Sequence, residues 1–163
     1  MNNTSVESEL DSCKSELDQI NSLIATLGLT SAITPFLSKY AVIRSCGSIE
    51  TSFKSMIADN VSRRGKKQVK RFLQRRIREG SANPSFDNMC KFLFDFDEQW
   101  RDDFKAKINL DPDKSSLLTS LQSLVDARND FAHGGNPAVT ITDVLRYFQD
   151  ARRILEKLDQ IIG

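Results

Sequence analysis

The apolar residues of this chain recur at helical spacing from one end to the other, and this spacing limits the possible folds most strongly. Residues 4–27 carry them at alternating steps of four and three: Val6, Leu10, Cys13, Leu17, Ile20, Ile24 and Leu27. Such a narrow heptad stripe predicts a helix that lies along another helix, in the same chain or in a second one. Packing within the chain is the simpler interpretation. Gly28 is a suitable residue to end this helix.

The next segment predicts a long central helix, which opens at Thr34-Pro35 and reaches about Asn60. Its apolar residues follow two lines: Phe36, Tyr40 and Ile43 on one, and Val42, Cys46, Ile49, Phe53 and Met56 on the other. A helix that is apolar on more than one face belongs in the middle of a bundle. Gly47 in its interior would allow another helix to approach closely.

Two further helices are predicted over about Phe86 to Ile108 and from Thr140 or Thr142, after a turn at Asn136-Pro137, and the segments 63–78 and 111–135 described below add to them. No segment alternates as a strand does. We therefore expect one all-α domain over residues 1–163, a bundle of five or six helices with a long central helix. Residues 1–29, the N-terminal heptad helix, would pack on this bundle or extend it.

Several absences narrow the class of protein. No apolar run approaches the ~20 residues of a membrane span, and the first residues lack the basic and apolar regions of a signal peptide. Three scattered cysteines, Cys13, Cys46 and Cys90, form no metal-ligand pattern. The acidic residues between Asp95 and Asp103 could suggest a magnesium site, but no histidine or further ligand pattern accompanies them. We expect a cytoplasmic protein without membrane contact, metal or cofactor.

Residues 111–135 predict a helix whose apolar stripe is interrupted by an arginine. Asp111 can cap this helix, Pro112 suits its first position, and Gly134 and Gly135 suit its end. The stripe consists of Leu117, Leu121, Leu124 and Val125. One further helical step reaches Arg128, a charged residue that does not contribute the burial energy of an apolar side chain at that position. Such a local inconsistency is typical of a functional site.

Five positions after Arg128 comes His133, the single histidine of the chain, and Asn129 directly follows the arginine. This Arg-x4-His pattern near the end of a helix resembles the motif of the HEPN superfamily, in particular the RiboL-PSP-HEPN-like group of bacterial defence and toxin proteins. The resemblance covers about Thr30 to the C-terminal end. It implies a metal-independent endoribonuclease that acts as a homodimer, cuts RNA in a shared cleft and leaves a 2′,3′-cyclic phosphate. It also implies an antitoxin or another regulatory partner protein.

The resemblance assigns roles to these residues. Arg128 would clamp the phosphate, His133 would act as general acid or base, and Asn129 would orient a group or bind substrate. Glu50 on the central helix and Asp130 would support them, since HEPN domains commonly carry a polar residue on this helix. Alternatively, Glu50 is an ordinary surface carboxylate or a buried ion-pair partner of Arg128, and His133 merely interacts with the helix dipole.

A regular helix places residues 128 and 133 roughly 140° apart around its axis. Their side chains therefore converge only if the last turn loosens before Gly134, or if they meet across a dimer.

The segment 63–78 holds nine basic residues and no acidic one, which leaves 14 basic against 22 acidic residues elsewhere. Clustered positive charge attracts a polyanion, and we predict that RNA binds here. The candidate contacts are Arg63, Arg64, Lys66, Lys67, Lys70, Arg71 and Arg75. Alternatively, the segment is a solvated helix that only balances the acidic remainder.

Two other functions stay open. One is a HEPN-like dimerisation or RNA-binding module without catalysis, and the other is a helical adaptor that binds a protein through its N-terminal helix.

Overall fold

A computed structural model describes residues 1–63, 65–135 and 138–163. These residues form seven α-helices and no strand: α1 (Thr4–Leu27), α2 (Thr34–Ser62), α3 (Lys67–Leu73), α4 (Phe86–Phe96), α5 (Glu98–Asn109), α6 (Lys114–Ala132) and α7 (Ile141–Ile162). A π-helical turn, Gln74–Arg78, continues α3 directly. The predicted all-α bundle is confirmed, with seven helices instead of five or six.

The long α2 lies at the centre of the bundle and packs against α1, α6 and α7. Of its two apolar lines, the one from Val42 to Met56 is buried, as predicted. The other line is not: Phe36 is 70% exposed, Tyr40 48% and Ile43 44%. The expectation that both lines face the core is wrong, because no helix in the described ranges covers this side of α2.

The N-terminal helix α1 has the predicted bounds, and its side chains pack on α2 and α7 of the same chain. Six of its seven stripe residues, from Val6 to Ile24, are buried, while Leu27 at the end is 40% exposed. The Asn3 side chain caps the helix by accepting a hydrogen bond from the Val6 N–H. The heptad stripe is therefore filled by contacts within the chain.

The single helix predicted between Phe86 and Ile108 is divided at Asp97 into α4 and α5. Asp97 has an extended backbone, with φ −161°, and its carboxylate accepts hydrogen bonds from the N–H groups of Gln99 and Trp100. An aspartate in this N-cap position typically stabilises a helix by about 1 kcal/mol. This cap begins a new helix within what appeared in the sequence as one continuous stripe.

The motif helix α6 begins at Lys114, two residues later than its predicted first position, Pro112. Asp111 does not cap it. One Asp111 carboxylate oxygen accepts a hydrogen bond from the Asp113 N–H at 2.8 Å, and the other binds Lys157 of α7 at 2.5 Å. These bonds hold the pKa of Asp111 below its usual value. The carboxylate thus joins the start of α6 to α7.

Thr140 caps α7, and its hydroxyl and backbone exchange hydrogen bonds with Asp143 in a capping box. The turn predicted at Asn136-Pro137 lies outside the described residues. No helix in the described ranges combines the length and apolar character needed to cross a bilayer.

Candidate active site

Arg128 lies at the end of the buried stripe of α6 and is itself half-buried. The four preceding stripe residues, Leu117 to Val125, are all in the core, as predicted. The guanidinium is close enough to Cys46 on α2 to oppose the effect of burial, which raises the pKa of that thiol to about 11. Arg128 therefore lies near the central helix, against which α6 packs.

Among the described residues, Arg128 uses few of its hydrogen-bond donors. Its Nη1 donates to Oδ1 of Asn129 at 3.2 Å, and it has no carboxylate within ion-pair distance in the part of the chain that the structure describes. A guanidinium carries five N–H donors in a planar fork. The remaining donors can hold an oxyanion by two parallel hydrogen bonds.

Glu50 does not form the ion pair with Arg128 that one interpretation of the sequence expected. Its Oε1 accepts hydrogen bonds from Lys54 Nζ and from the Ala82 N–H, each at 2.8 Å. Lys54 also donates to the carbonyl oxygen of Gly80. Glu50 and Lys54 therefore hold the segment before α4 against α2. Glu50 still acts on the Cys46 thiol, as Arg128 does, so it lies on the same side of α2.

His133 is exposed and stands directly after the last residue of α6. Its backbone N–H still bonds to the carbonyl oxygens of Asn129 and Asp130, at 3.1 and 3.2 Å. The helix is therefore regular up to Ala132 and does not loosen before it ends. Within one chain, the imidazole is not brought toward Arg128 by any distortion of the last turn.

The end of α6 is a complete Schellman motif. Gly134 has φ +85°, and its N–H bonds to the carbonyl oxygen of Phe131 at 3.1 Å. The Gly135 N–H bonds to the carbonyl oxygen of Asp130 at 2.9 Å. The Asp130 carboxylate is exposed and lies against Gly135. These two glycines fix the position of His133, the residue before them.

A second cation, Lys39, lies beside the motif helix and was not singled out from the sequence. Its Nζ is 5.4 Å from the ring centroid of Phe131 and 5.9 Å from that of Phe36. Cation–π contacts of this kind stabilise by about 0.5–1 kcal/mol at exposed sites. The i,i+3 spacing of Phe36 and Lys39 on one helix could have indicated their contact in the sequence. The contact joins the start of α2 to the last turn of α6.

A model of the RiboL-PSP-HEPN family matches residues 2–163. The chain belongs to this family. The match includes α1, which lay outside the region of resemblance noted in the sequence. HEPN domains are generally associated with ribonucleases. Comparison with curated proteins and with solved structures finds no significant match.

The basic surface of this HEPN domain lies on α3 and the residues around it. Six of its predicted RNA contacts are exposed and make no ion pair with the described residues: Arg63, Lys66, Lys67, Lys70, Arg71 and Arg75. Arg64 lies outside the described residues. Arg78 is different, because it binds Asp59 and Ser55 of α2. The basic surface is therefore attached about 14 to 20 Å further along α2 than Cys46, the residue of α2 that lies near Arg128.

The acidic residues around the α4–α5 junction have structural contacts. Asp97 caps α5, Asp102 pairs with Arg101, and Asp103 accepts a hydrogen bond from Gln99. Across the described ranges, no three His, Cys, Asp or Glu side chains are grouped so that they could hold a metal ion.

Proposed function

We propose that this HEPN domain is a metal-independent endoribonuclease that cleaves RNA at a composite site in a homodimer. The observation that carries the proposal is the pairing of two features on α6. Arg128 is half-buried and, among the described residues, donates a hydrogen bond only to Asn129, and an exposed His133 follows it directly after the end of α6. These are the two side-chain types that 2′-hydroxyl attack on a phosphodiester requires.

The reaction uses the nucleophile of RNA itself. The 2′-oxygen attacks the adjacent phosphorus as its proton passes to a base, and the bond from phosphorus to the 5′-oxygen breaks as that oxygen takes up a proton. The products are a 2′,3′-cyclic phosphate and a 5′-hydroxyl. An imidazole can serve either proton transfer near neutral pH. Arg128 would bind the non-bridging oxygens, on which negative charge accumulates in the transition state.

One chain offers one histidine for two proton transfers, and its α6 stays regular between Arg128 and His133. A two-fold dimer would supply two imidazoles and two guanidinium groups to one cleft. Asn129 already touches the Arg128 guanidinium and would hold it in place or bind the RNA. We assign supporting roles to Glu50, which pairs with Lys54 instead of Arg128, and to Asp130, which lies beside Gly135.

The exposed basic side chains around α3 would hold the RNA on either side of the cleavage point. Their contacts would be mainly with phosphates, which give affinity but little sequence selectivity.

We further propose that the enzyme belongs to a bacterial toxin or anti-phage defence system in the cytoplasm. Its activity would then be restrained by an antitoxin or another regulatory protein. This part rests on the family membership alone.

A second candidate function is a HEPN module that dimerises or binds RNA without cleaving it. The divergence of Arg128 and His133 within one chain favours this candidate if no dimer brings them together. The two functions share the basic surface and differ only in the need for His133.

Ribonuclease activity of the purified protein in EDTA separates these candidates. The nuclease predicts cleavage that survives chelation, yields cyclic-phosphate ends and falls by about a hundredfold or more in Arg128→Ala and in His133→Ala. Tight RNA binding without cleavage by the folded wild-type protein would support the binding module. Cleavage that persists in both variants would contradict the assigned residues.

A further inference from the structure

The exposed apolar side chains of this protein are concentrated in one stretch of the chain. Among the described residues, seven of the eleven exposed large apolar side chains lie between Leu23 and Leu29 or on the outer side of α2, up to Ile43. Monomeric proteins rarely expose a contiguous apolar patch of more than a few hundred Å². We define the α2 stripe as Ile33, Phe36, Tyr40, Ile43 and Gly47.

The α2 stripe contains both a protruding ring and a hollow. Phe36 is 70% exposed, so its ring projects from the surface. Eleven residues further along, over Gly47, lies a hollow of about 270 Å³ that is bordered by Tyr40, Ile43 and Arg44 and also by the polar side chains of Glu9, Ser48 and Thr51. A Cβ added to Gly47 would meet no atom within 4 Å. The hollow is open to solvent, so the ring of another chain can lie over Gly47 without meeting a described atom there.

The spacing of these features is self-complementary. Phe36 and Gly47 are equally far, about 8 Å along the helix, from the point midway between Tyr40 and Ile43. Two antiparallel copies of α2 centred on that point would place each Phe36 ring in the hollow of the other copy. Tyr40 of each copy would then face Ile43 of its partner. A two-fold interface requires a surface of this kind, in which one patch fits itself.

The two flanks of the stripe differ. On one flank, Arg44 binds Glu9 and Glu16 of α1, at 3.0 and 2.6 Å. On the other, Lys39 contacts Phe131 of α6. A two-fold axis perpendicular to two antiparallel helices leaves equivalent flanks on the same side of the interface. Both copies of α6 would therefore border one cleft.

We propose that two copies of this chain pair through antiparallel α2 helices, with Phe36 of each copy seated over Gly47 of the other. The proposal rests on the proposed function in taking the homodimer as the active form. It specifies which face of the chain forms that dimer and in which register. It also explains why an apolar stripe beside the motif is exposed in the single chain, because the second copy would cover it. The pairing needs no RNA, so it can be tested independently of cleavage.

Cysteine cross-linking tests the register. Phe36→Cys and Gly47→Cys are made in separate full-length chains, one of which carries a tag that separates the mixed dimer by mass. The native cysteines, Cys13, Cys46 and Cys90, are all buried, so oxidised wild type gives the background. Antiparallel pairing brings residues 36 and 47 of different copies within the roughly 7 Å between Cα atoms that a disulfide spans.

We expect the mixture to form a disulfide-linked mixed dimer at least about tenfold more readily than either variant alone. Phe36→Cys chains that link to each other as readily as to Gly47→Cys chains would overturn the register. A mixture that cross-links no more than oxidised wild type would overturn the interface.

Sedimentation of the protein without RNA tests the interface independently. Phe36→Glu should weaken self-association by roughly tenfold or more, because it places a charge in an apolar interface. Phe94→Glu is the matched control, since Phe94 is 49% exposed but lies on α4, away from the stripe. Circular dichroism of both variants verifies folding. A wild-type dimer that is weakened equally by the two variants, or by neither, would overturn this interface and leave the homodimer of the proposed function intact. A wild-type protein that stays monomeric would contradict both proposals.

Discussion

The Glu50 carboxylate binds Lys54, whose Nζ lies 2.8 Å from Oε1, and leaves Arg128 without an ion pair among the described residues. The Glu50 and Lys54 side chains are only 16% and 7% exposed. Because this pair satisfies the buried acid, the guanidinium remains available for a substrate anion. The structure thus separates a stabilising ion pair from a candidate catalytic cation on the same side of α2.

This separation predicts that one substitution mainly lowers stability and the other mainly abolishes activity. Lys54→Met leaves the Glu50 carboxylate buried and unpaired, and should lower the free energy of unfolding by about 3–5 kcal/mol. Arg128→Met breaks no described ion pair, so it should cost clearly less stability while abolishing RNA cleavage. Urea denaturation of both variants measures the difference. Equal losses of stability would mean that Arg128 is a structural residue.

The glycine that ends α6 should be sensitive to substitution. Gly134→Ala puts a side chain at φ +85° and should destabilise the protein by about 1–2 kcal/mol. Gly47→Ala lies inside α2 with no atom near its Cβ, and should stabilise by about 0.5–1 kcal/mol. Both are made in a Phe36→Glu background, so that association does not contribute, and compared by urea denaturation. A stabilising Gly134→Ala would contradict the described helix end.

RNA binding should depend on salt through the basic surface. Lys70→Ala combined with Arg71→Ala removes two phosphate contacts and should reduce the slope of log K against log salt by about 1.4 for a single strand. The control, Lys114→Ala, removes an exposed charge at the start of α6 and should leave the slope unchanged. Fluorescence anisotropy with a His133→Ala background avoids cleavage. If both changes alter the slope equally, the basic surface does not provide the phosphate contacts that bind RNA.

Stability should fall in acid partly through Asp111. Its pKa is held below the usual value by Lys157 and by the Asp113 N–H. The stabilisation is therefore complete above the unfolded pKa of about 3.9 and is lost as the pH falls below about 4. We expect Asp111→Asn to be less stable than wild type at pH 6, with a smaller difference at pH 3. A difference that is independent of pH would exclude this ionised carboxylate as the cause.

The sequence predicted features that depend on local spacing and missed those that depend on packing. The bounds of α1 and the buried stripe of α6 follow from periodicity. The N-cap Asp97 was hidden because the aromatic stripe continues across it on both sides. The ion pair of Glu50 with Lys54 could have been predicted from their i,i+4 spacing. The exposure of Phe36 could not, because an apolar line on a helix does not reveal whether another helix covers it.

Mixing wild type with a histidine variant tests the composite site most directly. Equal amounts of wild type and His133→Ala are allowed to exchange subunits and are then assayed for cleavage in EDTA. If one cleft uses the imidazoles of both copies, random exchange leaves about a quarter of the dimers with both imidazoles intact. We therefore predict that cleavage falls to about a quarter of that of wild type at the same total protein concentration. Cleavage at about half, after verified subunit exchange, would contradict a cleft that needs the imidazoles of two copies.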